Sequence, residues 1–289
     1  MDGWIRENQG FAAKGAGIPD AELNQRIRKR FDSVRHGYED FIRRHPDNAK
    51  ARIAFASFLH DMGEEDAEVE QLEKGRDLDT NNPTAWNQLA NFQGHNGATT
   101  NAFISYEKAI ELDPREAVYY WNFATTVYLF RKDAMAHYHI TEQQVFDKAL
   151  NLYVKALQFD PTNFVLAADL AQTYYGIRPV RTDEALNAYT NALSLARDEI
   201  EREGIYIHLT RFKYNAGRFA QARAHLDAVT NAMYADLKKL LTRNLDENEQ
   251  SAKETNRPPA AITNAPVNAG VSQPQSATNK QAPVVENPK

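Results

Sequence analysis

"YEKAIELDP" at 106–114 and "YVKALQFDP" at 153–161 are nearly the same nine residues written twice. Tyr106 aligns with Tyr153, Lys108 with Lys155, Ala109 with Ala156, and Asp113-Pro114 with Asp160-Pro161. Extended backwards, the first copy gives Ala102, Tyr106, Ala109 and Leu112, a spacing that places all four on one face of a helix. Ala149, Tyr153, Ala156 and Phe159 repeat that stripe, Ala185, Tyr189, Ala192 and Leu195 repeat it again, and Ala222, Leu226 and Val229 give a shorter version. Each stripe has alanine where two helices must come close and a larger apolar residue one turn on. The Asp-Pro pair predicts where the helix stops, because the residue before proline is pushed out of the α region.

A second helical stripe precedes each of these. Trp86, Leu89 and Ala90 stand before the first; Tyr120, Phe123, Ala124 and Val127 before the second. Ala167, Leu170, Ala171 and Tyr174 precede the third, and Tyr206 and Leu209 the fourth. Turn residues separate the two stripes of a pair: "HNGATT" at 95–100, "GIRPVRTD" at 176–183 and "NAGRF" at 215–219. Gly97 and Gly217 suit the positive φ that ends many helices. An earlier copy has Phe55, Ala56 and Leu59, a turn at Gly63, then Leu72 and Leu78. Before it, Val34, Tyr38 and Phe41, closing at Pro46, read as an unpaired helix. After the last copy, "VTNAMYADLKKLLTRNLDENE" at 229–249 reads as a capping helix whose Met233, Leu237, Leu240 and Leu241 need burial.

A helix–turn–helix unit of about 34 residues, repeated, is the mark of a solenoid: no unit covers its own apolar face, so each presents a similar face to the next. At 83–116 the pattern "W86-N-Q-L89-A90", then Gly97, Ala102, Tyr106, Ala109 and Pro114, resembles the tetratricopeptide repeat family. The resemblance extends over about 30–236. It departs from the family at Glu68, where a small residue belongs, at Ala90, which replaces a glycine, and at Lys213, which replaces an aromatic. A generic helical bundle is the alternative; several copies matching at fixed offsets argue against it. The expected fold is therefore all-α, a right-handed superhelical solenoid of antiparallel helix pairs with about five repeats plus flanking helices.

One unit is irregular. Pro114 and Pro161 are 47 residues apart, so an insertion falls near 131–143, with either a prolonged first helix past Phe130 or a loop. Thr141 with Gln144 forms a capping-box pattern that starts the second helix near Glu142. His137 and His139 in "HYH" invite a metal reading, but no third ligand completes a set and surface histidines are the better reading.

Composition narrows the function. The 289 residues carry a formal net charge of −5, which argues against a nucleic-acid binder. With no cysteine, disulfides, thiol catalysis and cysteine-based zinc sites are excluded. No apolar run approaches a membrane span, and "MDGWIRENQGFAAKGAGIPD" has no apolar h-region. A cytoplasmic location without membrane insertion is expected. "KGAG" at 14–17 lacks the strand a dinucleotide loop needs, and no phosphate loop, His-Glu-x-x-His or nucleophile elbow occurs. The chain is expected to be no enzyme and to hold no cofactor, metal or catalytic residue. Residues 1–20 are expected to be loose, 21–250 to form the repeat domain, and 251–289, with six of the twelve prolines and no aromatic, to be a disordered tail.

The resemblance implies a concave groove, lined by the first helix of each pair, that binds an extended peptide. Asparagines there hold the ligand backbone, since a carboxamide both donates and accepts. Carried over by position, the groove residues are Asn87, Asn91, Asn122, Thr125, Asp169 and Gln172. The family's clamp for a chaperone's C-terminal carboxylate is incomplete in either register: Val165 and Asp169, or Ile53 and Ser57, stand where its Lys, Arg and Asn are needed. The function expected is a non-catalytic interaction module or scaffold that holds a protein or peptide segment. The alternative is a structural subunit that contacts partners through the insertion, the convex face or the tail.

Overall fold

The computed structural model describes residues 20–255, which form two compact units, 20–85 and 86–255. Among the described residues all regular structure is helical. The segment up to residue 19, expected to be loose, and the tail past 255 lie outside them.

The first unit contains α1 (Asp20–Arg44), α2 (Ala49–Asp61) and α3 (Glu65–Leu78). Asn48 caps α2, its Oδ1 accepting the Ala51 N–H at 2.9 Å. Tyr38 of α1 stacks on Phe55 of α2 at 5.1 Å between ring centres. Gly63 turns the chain with φ +71°. Phe55, Ala56, Leu59 and Leu72 are buried as the stripe required, but Leu78 is 41% exposed: it is the last helical residue, and α3 stops at Asp79, whose N–H closes on Gly75 O. Glu68, out of place for a repeat, is buried and meets the imidazole of His60 at 3.0 Å.

Four helix pairs follow. They are α4 (Pro83–His95) with α5 (Thr99–Leu112), α6 (Ala117–Leu129) with α8 (Glu142–Phe159), α9 (Phe164–Thr173) with α10 (Thr182–Ser194), and α11 (Glu199–Asn215) with α12 (Phe219–Asp227). A short helix, α7 (Arg131–Tyr138), is inserted between α6 and α8, and α13 (Ala235–Thr255) closes the unit. Gly97 and Gly217 adopt φ +79° and +72°. The repeated Asp-Pro acts as expected: α5 and α8 end at the preceding residue, and Asp113 (φ −138°, ψ 91°) and Asp160 (φ −131°, ψ 71°) have left the helical region.

The packing that the repeat demands is present. Ala102, Ala109, Ala149, Ala156, Ala185, Ala192 and Ala222 are all 0% exposed, with Tyr106, Tyr153 and Tyr189 buried beside them. Tyr120, Ala124, Leu150, Tyr153, Ala167, Leu170, Tyr189 and Leu209 belong to one apolar core running from α6 to α11. The fold is thus an all-α solenoid of antiparallel helix pairs.

The insertion resolves into a helix. α6 ends at Leu129, and Phe130 breaks the run before α7. Ala134 is fully buried, and Phe130, Met135, Tyr138 and Ile140 pack against the α5–α6–α8 core. Of residues 130–140 only Lys132, Asp133, Ala136 and His139 are exposed. α8 begins at Glu142 with both halves of the Thr141–Gln144 capping box formed. The closing helix is displaced from its expected span: Ala232–Tyr234 is a 3₁₀ turn, and α13 runs from Ala235 through Thr255, past the expected boundary at 250. Met233 is 66% exposed because it lies on that turn, while Leu241 and Leu245 supply the buried stripe.

Candidate functional site

The first helices of the second unit, α4, α6, α9 and α11, are joined by polar contacts at residues the repeat brings into register. Measured from the small residue of each helix, Ala90, Ala124, Ala171 and Thr210, the residue two before it is Gln88, Asn122, Asp169 or His208, and the residue after it is Asn91, Thr125, Gln172 or Arg211. Asn87 is equivalent to Trp121, not to Asn122.

Between α4 and α6, Asn122 Nδ2 donates to Asn87 Oδ1 at 3.2 Å. Asn87 is buried; Asn122 and Asn91 are half-buried. Asn91 is also structural, its Oδ1 accepting the Tyr106 hydroxyl at 2.7 Å, and Thr126 Oγ1 stands 3.2 Å from the same hydroxyl. Burial holds the Tyr106 phenol far above its ordinary range, so it is a neutral donor at every physiological pH. Nothing among the described residues bonds Asn91 Nδ2 or Asn122 Oδ1, which leaves a donor group on α4 and an acceptor on α6 uncommitted.

Between α6 and α9, the indole Nε1 of Trp121 donates to Asp169 Oδ2 at 2.9 Å. Burial pushes the Asp169 carboxyl up to about 6, with the indole bond opposing the shift. Thr125 Oγ1 lies 2.8 Å from the Tyr153 hydroxyl of α8, and that phenol is raised to about 12, chiefly by burial. Gln172 is exposed. Between the 3₁₀ turn that follows α9 (Tyr174–Gly176) and α11, the Tyr175 hydroxyl meets His208 Nδ1 at 2.9 Å, and His208 stacks on Tyr189 at 5.0 Å. Burial, with the nearby Arg211 charge, lowers His208 to about 3, so the ring is neutral.

The six residues named from the sequence therefore lie along one set of adjacent helices; Asn87, Asn122 and Asp169 take part in the bonds joining those helices, while Asn91 and Thr125 bond tyrosines of the second helices. Sequence reasoning missed Trp121, Tyr175 and His208. Alignment on the small residue of each helix, which puts Trp121 in line with Asn87 and His208 in line with Asp169, was the signal that could have found them.

The histidines of the insertion serve the fold: the His137 ring packs 5.6 Å from Phe103 and 4.5 Å from Tyr138, and His139 ends α7 with φ 54°. Among the described residues no three His, Cys, Asp or Glu converge as metal ligands, and no helix is long and apolar enough to cross a membrane.

The family model of the tetratricopeptide repeat matches residues 83–116. No curated protein matches the chain. Among solved structures, the chain is similar to pilF of Pseudomonas aeruginosa, with 17% identity over 72% of this chain and 89% of that one at a TM-score of 0.52. It is also similar to YrrB, described as a TPR protein with an unusual peptide-binding site, with 14% identity over 75% and 97% of the two chains at a TM-score of 0.51. An RS-1 MamA double mutant has 16% identity over 69% and 97% at a TM-score of 0.51. At these identities the likeness is one of fold.

Proposed function

We propose that this chain, which carries a tetratricopeptide repeat at 83–116, is a non-catalytic interaction module that holds an extended protein or peptide segment along the face formed by α4, α6, α9 and α11. The observation that carries the reading is the pair of uncommitted amide groups on Asn91 and Asn122, each carboxamide fixed by one internal bond and offering its other end. A peptide backbone carries one donor and one acceptor per residue. A carboxamide held rigid at one end meets that need without losing further side-chain entropy. Asn87, Thr125, Asp169 and Gln172 would border the same segment. Peptide binding by YrrB, a protein of similar fold, supports the assignment.

Selection of random displayed peptides on the full chain tests it. The expected result is a family of bound peptides lost on Asn91→Ala with Asn122→Ala and weakened several-fold by Gln172→Ala. The double variant also removes internal bonds worth about 1 kcal/mol each, so circular dichroism must show it folded at the assay temperature. Gln172→Ala, at an exposed position, carries no such cost. Peptides that bind both variants as they bind the natural chain would remove this face from consideration.

A further inference from the structure

Asp169 is a half-buried acid whose carboxylate has a single neutral donor, unlike several other acids among the described residues. Glu201 pairs with Arg197, Glu249 with Arg223 at 2.8 Å, and buried Glu68 with His60 at 3.0 Å. Buried Glu203 accepts from the Thr230 hydroxyl at 2.9 Å and the Asn231 N–H at 2.8 Å. Asp169 receives one neutral indole N–H, and among the described residues no cation pairs with it. A carboxylate removed from water without a counter-charge is unfavourable. The aromatic that fixes it, Trp121, is itself a surface on which a cation can rest.

We propose that the Trp121–Asp169 pair is a receptor for one cationic side chain, so that the segment held by this face carries an arginine or lysine at that point. The proposal rests on the peptide-binding reading and adds a charge rule to it. An incoming guanidinium would pair with Asp169 and lie against the indole. The groups packed around Asp169 do not substitute for it. Trp121 and Thr125 of α6 are neutral, and Tyr153 of α8 keeps its proton up to about 12. His208 of α11 is neutral above about 3. Arg211 of α11 stands beside Tyr175 and His208 and makes no ion pair with Asp169. Asp169 carries charge above about 6 and loses it below, so affinity for a cation falls as pH falls through that value.

The test uses the full chain labelled with nitrogen-15 and the Trp121 indole N–H signal, assigned by its loss in Trp121→Phe. The probes are N-acetyl-arginine amide and its uncharged isostere, N-acetyl-citrulline amide. The arginine compound is expected to move the signal at about pH 7.5 where citrulline does not, with affinity about tenfold weaker near pH 5. Asp169→Asn keeps an acceptor for the indole and should abolish the preference for arginine; its spectrum reports whether it is folded. Equal binding of the two probes, an unmoved indole signal, or a preference that survives Asp169→Asn would each overturn the assignment. Displayed peptides that depend on Asn91 and Asn122 yet show no basic position would overturn the charge rule and leave the peptide-binding reading standing. A specific response to arginine with no peptide selected would do the reverse.

Discussion

Ala109, Ala156 and Ala192 have no exposed surface, so a larger side chain at any of them has to displace packed neighbours. Ala156→Leu is expected to destabilise by about 1–3 kcal/mol, the usual cost of overpacking, measured by chemical unfolding. The seam residues carry a different balance. Tyr106→Phe removes one buried hydroxyl but leaves half-buried Asn91 able to bond water, so the loss should be about 1 kcal/mol; Asn91→Ala strands the buried phenol beside Thr126 alone and should cost more. Asp169 works against stability. Its unfolded carboxyl titrates near 3.9 and its folded one near 6, so the folded state holds the proton more tightly. Stability conferred by the neutral acid is lost as pH rises from about 4 to about 6. Asp169→Asn is therefore expected to raise the melting temperature at neutral pH and to match the natural chain at about pH 4.

Among the helices, the start of α8 and the contact of α2 with α3 set the geometry. The Thr141–Gln144 box fixes where α8 begins after the inserted α7, and Thr141→Ala should cost about 1 kcal/mol. Hydrogen exchange is expected to show that loss first in the opening turn of α8. At Gly75, an added Cβ would stand 2.9 Å from Ile53 Cγ1 and 3.4 Å from Ala49 O. Gly75→Ala gains about 1 kcal/mol of helix propensity but forces buried Ile53 aside, at about 1–3 kcal/mol. The steric term wins, and a net loss of about 1 kcal/mol is expected by thermal unfolding. The insertion uses its apolar side chains internally, so α7 acts as a buttress for α5, α6 and α8.

At the scale of the molecule, a solenoid's end pair has a face with no following repeat. Here Leu241 and Leu245 of α13 join Ile207, Tyr214, Leu226 and Val229 in a separate apolar cluster. Removing residues 235–255 would expose that cluster. Amide exchange is expected to rise in α11 and α12 while α4 and α5 stay protected, because repeat units are coupled mainly to their neighbours. Equal deprotection throughout would mean that the unit unfolds as one body.

The fold was legible because it is written periodically: the Ala-and-aromatic stripes, the glycines at turns and the Asp-Pro stops each depend on local geometry and recur with the repeat. Where the period broke, legibility fell. The insertion could not be separated into a prolonged helix or a loop, and the closing helix was misplaced, because neither has a second copy for comparison. Burial of Leu78 and Met233 was wrongly expected since a helix end or a 3₁₀ turn redirects a side chain without changing its hydrophobicity. The positions of Asn91, Asn122 and Asp169 on successive first helices came from the sequence alone. That Asn91 serves Tyr106, that Asn122 serves Asn87, and that Asp169 meets an indole and no cation was decided by tertiary structure. Hydrogen bonds between helices 35 or 48 residues apart depend on how one pair rests on the next, and that distance in space has no signature along the chain.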